Sequence, residues 1–226
     1  MRFNLLFVAL LFLFATGCAM NTATKGQAYP EMYNEKPVAI LVVPAINHST
    51  AADAPILYES TINEPLSNAG FYVLPIEVTN RFLRNEGISE GEVLKDIPPQ
   101  KFAEPFGADA VLYVTIDKWD TNYYVIGGNV TVGASFFMKS CKTGATLWSY
   151  QDEIPLDTSG DSSAGLLVAM IATAINTGMQ DYVPIARNVN LMTLRSIPFG
   201  KYHNSHDKDQ SQSIKLGKIP TETAAQ

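Results

Sequence analysis

Two cysteines and three histidines are what the 226-residue chain offers for thiol, imidazole or soft-metal chemistry. Cys141 sits in Ser140-Cys141-Lys142-Thr143-Gly144, which reads as a hairpin turn. With no histidine nearby in sequence, nothing there would activate the thiol for nucleophilic or redox work. His203 and His206 fall in His203-Asn204-Ser205-His206-Asp207. That spacing could begin a metal site, but no Cys or Glu cluster accompanies it and a solvated tail is the expectation. Asn47-His48-Ser49 follows an apolar run. Ligands often sit beyond the carboxyl ends of strands, yet with no nucleophile close in sequence the segment reads as a loop cap. Asp152, Glu153, Asp157 and Asp161 form an acidic stretch. Its first two members would point to opposite faces of a strand, and Asp161 suits a helix cap, so paired acid and base work is not predicted. Ile126-Gly127-Gly128-Asn129 lacks the lysine and the strand-to-helix setting of a phosphate loop. No catalytic residue, no cofactor and no metal are expected.

Cys18 is the exception, because of what precedes it. Arg2 and the apolar run Leu5 to Phe14 match an export signal and fall short of the ~20 apolar residues that span a bilayer as a helix. Ala15-Thr16-Gly17-Cys18 resembles the bacterial lipobox, in which small residues precede a cysteine that is acylated through sulfur before the signal is cut away. The resemblance implies that Cys18 is the lipid attachment site, with the membrane as a partner. Each buried CH₂ of an acyl chain contributes about 0.8 kcal/mol, so several chains together hold firmly. Ala19 stands where an inner-membrane lipoprotein tends to carry Asp, so the resemblance points to the outer membrane, periplasmic face. With Cys18 lipidated, Cys141 has no intrachain partner and a structural disulfide is excluded.

The formal charge is −6, one unit more negative once Arg2 leaves with the signal, and 46% of residues are hydrophobic. That is a globular composition. Lys and Arg are scattered, which argues against nucleic acid as a partner.

The elements that must position any site read as follows. Val38 to Val43 is a short apolar run suited to a strand buried on both faces. Residues 55–69 repeat apolar positions at helical spacing and stop at Gly70. Residues 71–75 make a second strand, and 78–85 and 98–106 two short helices. Residues 109–119, 123–139 and 145–156 make three strands joined by tight turns at Asp120-Thr121-Asn122 and Lys142-Thr143-Gly144, with a bend at Gly127-Gly128. Residues 164–179 predict an apolar helix and 182–197 a further one. The expected fold class is α+β: a single domain with a mixed β-sheet containing an antiparallel meander, and helices packed on it. The expected organisation is a signal at 1–17, a lipidated tether at 18–36, the domain at 37–202 and a disordered tail at 203–226. Trp119 and Trp148 are expected in the core.

Several segments together resemble a family of bacterial lipoproteins known from a meningococcal surface-antigen candidate. They are the cysteine at 18, PVAILVVPA at 37–45, GADAVLYVTIDKW at 107–119, KTGATLWSYQ at 142–151 and SIPFGKYHNSHDKD at 196–209. The last departs from the family's pattern at Lys201, where Pro is usual. The resemblance implies a fold similar to the amino-terminal domain of the Tol-system propeller protein and, more loosely, to the curli-secretion lipoprotein. It implies a non-enzymatic accessory of an envelope assembly or secretion complex. The partners expected are envelope proteins, with a secretion-channel lipoprotein as one candidate, and self-association is another; the oligomer or partner surface is expected on the sheet's edge or on residues 164–179 rather than in a pocket. A regulator of a cell-wall synthase and a hydrolase with a dispersed site are the alternatives.

Overall fold

A computed structural model describes residues 22–124, 127–157 and 182–217. Cys18 and the expected helix at 164–179 lie outside the described residues. A six-stranded mixed sheet organises the domain, with strands in the order β4-β2-β5-β6-β7 and β3 beside β5. Here β2 is Ala39–Val42, β3 Ile46–Asn47, β4 Tyr72–Val73, β5 Ala110–Tyr124, β6 Gly127–Ser140 and β7 Thr146–Asp157. The α+β expectation holds. β2 runs parallel to both β4 and β5, while β5, β6 and β7 form the antiparallel meander.

The unbroken apolar run of β2 is explained by two covered faces. Ile40 and Val42 enter the main core with Leu112, Phe136 and Trp148, whereas Leu41 and Val43 enter a second cluster with Leu83, Leu94, Phe102, Val111 and Cys141. Alternate side chains of one strand point to opposite faces, so both clusters grow from the same residues. The main core is capped by α3 (Ala54–Asn68) and α7 (Val183–Thr193), which present Tyr58, Ile62 and Leu66, and Ile185, Ala186 and Val189. The second is capped by α4 (Ile76–Asn85), α5 (Gly91–Leu94), a 3₁₀ turn at Pro99–Phe102 and α6 (Ala103–Phe106). Trp148 and Trp119 are buried, and Trp148 Nε1 donates to Ser196 Oγ at 3.1 Å. A register shift between Ile116 and Lys118 turns Trp119, not Lys118, onto the core face.

The meander departs from expectation at its first turn. Asp120-Thr121-Asn122 stays in β5 and pairs with Thr131, Val130 and Asn129, and Gly127 and Gly128 open β6 rather than bend it. Turn-forming residue types yield here to continuous ladder pairing.

The chain ends depart further. Residues 22–36 are not a free tether, and 203–217 are not a solvated tail. β1 (Thr22–Thr24) pairs antiparallel with β8 (Ser213–Lys215), and α1 (Lys25–Ala28) and α2 (Pro30–Glu35) follow. Lys25 and Asp209 form a buried ion pair at 3.1 Å. The Asp209 carboxylate also accepts from Tyr33 Oη at 3.1 Å and Phe199 N at 3.0 Å, and the Lys25 ammonium lies 4.1 Å from the Phe199 ring centre. Burial lowers the Lys25 pKa, and Asp209 opposes that shift. Together these contacts clasp β1, α1 and α2 to the 196–215 segment, and Gly70 (φ +90°) makes this clasp possible on the helix side. A Cβ there would lie 2.4 Å from His203 N, while Gly200 N and Tyr202 N donate to Ala69 and Gly70 carbonyls.

Candidate functional site

Pro44 ends β2, and the chain resumes as β3, from which Asn47-His48-Ser49 leads away. Beyond this carboxyl end opens a groove of about 620 Å³ between the β2–β3 link and helices α3, α4 and α5. Its apolar wall includes Pro44, Pro55 and Ile56, and its polar groups include Glu59, Asn80, Arg84, Glu90 and Glu92. Gly91 closes one side: a Cβ there would lie 2.2 Å from Pro44 O, so only glycine lets α5 start against this backbone.

The polar groups of the floor come from two helices. Glu59 projects from α3 and Asn80 from α4, and Asn80 Nδ2 donates to Glu59 Oε2 at 2.7 Å. α4 is inverted for a surface helix. It buries Thr79, Asn80 and Leu83 and exposes Val78 and Phe82. Thr79 is satisfied by donating to Ile76 O at 2.9 Å, but buried Asn80 Oδ1 has no donor. The Glu59 carboxyl pKa is raised, first by burial. Hydrogen bonds from Ala45 N–H and Asn80 oppose this, Glu77 adds to it and Arg84 offsets it.

The residues singled out from sequence have separate fates. Asn47 caps its loop as expected: Oδ1 accepts from Ser49 N at 3.0 Å and Ser49 Oγ at 2.7 Å, and Nδ2 donates to Ala51 O at 2.8 Å. His48 stands at the groove rim, 4.0 Å from a Glu92 oxygen and 3.9 Å from an Asp117 oxygen. Cys141 is a free, buried thiol whose pKa is pushed up to about 11 by burial and then by Asp109. His203 stacks on Phe199 at 3.6 Å and accepts from Ser205 N, and His206 Nδ1 lies 2.9 Å from Phe199 O. Both imidazoles are therefore half-buried parts of the clasp rather than of a free tail, because Asp209 and Gly200 hold the backbone between them. Among the described residues no group of three or more His, Cys, Asp or Glu could hold a metal ion.

Asp152 accepts from Glu153 N and Tyr150 Oη, and Glu153 faces Lys118 at 3.8 Å, charges along β7 rather than a pair. Asp157 ends β7, and Asp161 lies outside the described residues. No motif marks the Glu59–Asn80 pair in the sequence. The signal for it was α4, whose apolar Val78 and Phe82 fall on the face opposite buried Leu83.

A family model described as "Putative lipoprotein GNA1162-like" matches residues 27–197. The chain belongs to that family. The GNA1162-like match spans every element that builds the groove. "Putative lipoprotein NMB1124/NMB1162" of Neisseria meningitidis serogroup B is 32% identical over 148 residues, covering 66% of this chain and 68% of the relative. The crystal structure of lipoprotein GNA1162 from Neisseria meningitidis matches with a TM-score of 0.52 at 31% identity, over 63% of this chain and 98% of that one. The PelC dodecamer from Paraburkholderia phytofirmans is more remote, with a TM-score of 0.41 at 16% identity over 72% of this chain and 89% of that one. The segments that carried the resemblance to GNA1162-like proteins are scaffold: β2, β5, β7 with its turn, and the clasp.

Proposed function

We propose that the protein is an outer-membrane lipoprotein, anchored through Cys18 on the periplasmic face after removal of residues 1–17, whose body serves as a non-enzymatic accessory of an envelope assembly or secretion complex. The signal and lipobox pattern together with membership of a lipoprotein family support the anchor. The observation that carries the accessory role is the groove end of the domain. The helices framing it leave Ile56 (71% exposed), Val78, Phe82 and Val93 in solvent, and exposed apolar side chains of that size favour a protein partner. β1 begins at Thr22, four residues after Cys18, and four residues span at most about 14 Å at full extension. The body then rides close to the membrane, which favours partners in that same membrane over a wall synthase across the periplasm.

Metabolic labelling with palmitate and membrane fractionation of wild type and Cys18→Ala test the anchor. Label in the wild-type outer membrane and an unlabelled precursor or soluble mutant are expected. A mutant that still fractionates with the outer membrane and matches wild type in label contradicts it. Crosslinking in cells tests the role, which fails if the wild-type chain captures no envelope protein above background.

A further inference from the structure

We propose that the floor of the groove, Glu59 with Asn80, is a subsite for a lysine side chain presented by an envelope protein. The inference rests on the accessory reading for the source of that lysine and on geometry for its chemistry. Asn80 is 5% exposed, and its Oδ1 is a buried acceptor with no donor. A group left so keeps a desolvation cost that a ligand donor would remove. Beside it, the half-buried Glu59 carboxylate receives two hydrogen bonds, from Ala45 N–H and Asn80. Among the described residues it has no cation within ion-pair distance. Glu90 and Glu92 stand on the rim and Glu77 acts on Glu59 from α4, with Arg84 exposed at the edge. The floor thus presents acceptors inside a mostly acidic rim.

An ammonium group fits this pattern because it carries three donors and no acceptor in a compact head. Its four-carbon stem would lie along Pro55 and Ile56, as lysine stems do on apolar surface. A carboxylate or phosphate would meet repulsion from Glu59 and leave Asn80 Oδ1 unpaired. Burial already raises the Glu59 pKa, a shift that an incoming cation would oppose.

The test titrates ¹⁵N-labelled full-length protein in detergent micelles with acetyl-Ala-Lys-Ala-amide, with the same peptide carrying norleucine, and with cadaverine, following the Asn80 side-chain amide by NMR. A saturable shift with the lysine peptide and none with norleucine is expected. Glu59→Gln, which keeps the shape of the side chain, should weaken binding at least about tenfold. Glu92→Gln at the exposed rim should weaken it less. Equal shifts from lysine and norleucine, or binding by Glu59→Gln equal to wild type, overturn the subsite. Saturable binding of cadaverine without the lysine peptide overturns the protein source. Lysine-specific binding in a chain that captures no envelope protein in cells refutes the accessory reading alone, whereas capture that survives Glu59→Gln refutes the subsite alone.

Discussion

Two of the regions where the molecule places polar groups inside itself treat them differently. In the clasp, where β1, α1 and α2 meet the 196–215 segment, the buried Lys25 ammonium has Asp209, and Asp209 has Lys25, Tyr33 and Phe199 N. In the groove, Asn80 Oδ1 is buried with no donor, and half-buried Glu59 feels Arg84 but has no cation at ion-pair distance among the described residues. A satisfied interior network fixes one arrangement of the chain. An incomplete one carries a standing cost that a partner can relieve. The first region is therefore architecture, and the second is where binding energy is held in reserve.

The largest effect should come from breaking the clasp. Asp209→Ala leaves an uncompensated ammonium in the interior and should destabilise by about 3–5 kcal/mol in urea unfolding. Lys25→Met combined with Asp209→Leu should recover much of that loss, since an apolar pair needs no partner. If Asp209→Ala unfolds at the wild-type urea midpoint, the clasp is not architecture.

Cys141 sharpens the contrast, because it is buried without being a site. Its pKa of about 11, against an ordinary 9.0, means that the folded chain keeps a proton the unfolded chain releases. That contribution is intact below about pH 9 and is lost as pH rises to about 11, amounting to about 2–3 kcal/mol. Stability of Cys141→Ala, compared with wild type across pH 8–11, should therefore decline less steeply. A thiol reagent should label Cys141 only on unfolding, and rapid labelling of the folded chain at pH 8 would contradict its burial.

A smaller cost, about 1–3 kcal/mol, is expected for Gly91→Ala, whose Cβ would press on Pro44 O and shift α5 at the groove mouth. An unchanged melting curve would show that the α5 contact is slack. The smallest change should come from Asn80→Leu, within about 1 kcal/mol of wild type, because the lost bond to Glu59 is offset by removing an unsatisfied acceptor. A loss beyond 3 kcal/mol would make the groove as structural as the clasp.

Much of this fold was legible in the residues, and the reasons differ by element. The β2 run, the helix stopped at Gly70 and the meander are signalled by local pattern, and local pattern prevailed. Trp119 and Trp148 were readable as core from type alone. The clasp was not. Its strands are three residues each, and its key ion pair joins residues 184 apart in a stretch whose polarity reads as solvated. Asn47-His48-Ser49 is conspicuous because it follows a strand, and Asn47 and His48 do border the groove. Glu59 and Asn80 are silent in the sequence because no motif ties positions on separate helices that converge only in the folded chain.

The measurement that separates the two regions most directly is photo-crosslinking in living cells. A photoreactive amino acid is placed either at Ile56 on the groove wall or at Lys208, exposed beside the clasp. An adduct to an envelope protein is expected from position 56, lost when Glu59→Gln is added, and none from position 208. Adducts of equal yield from position 208, or adducts from position 56 that are indifferent to Glu59→Gln, would contradict that expectation.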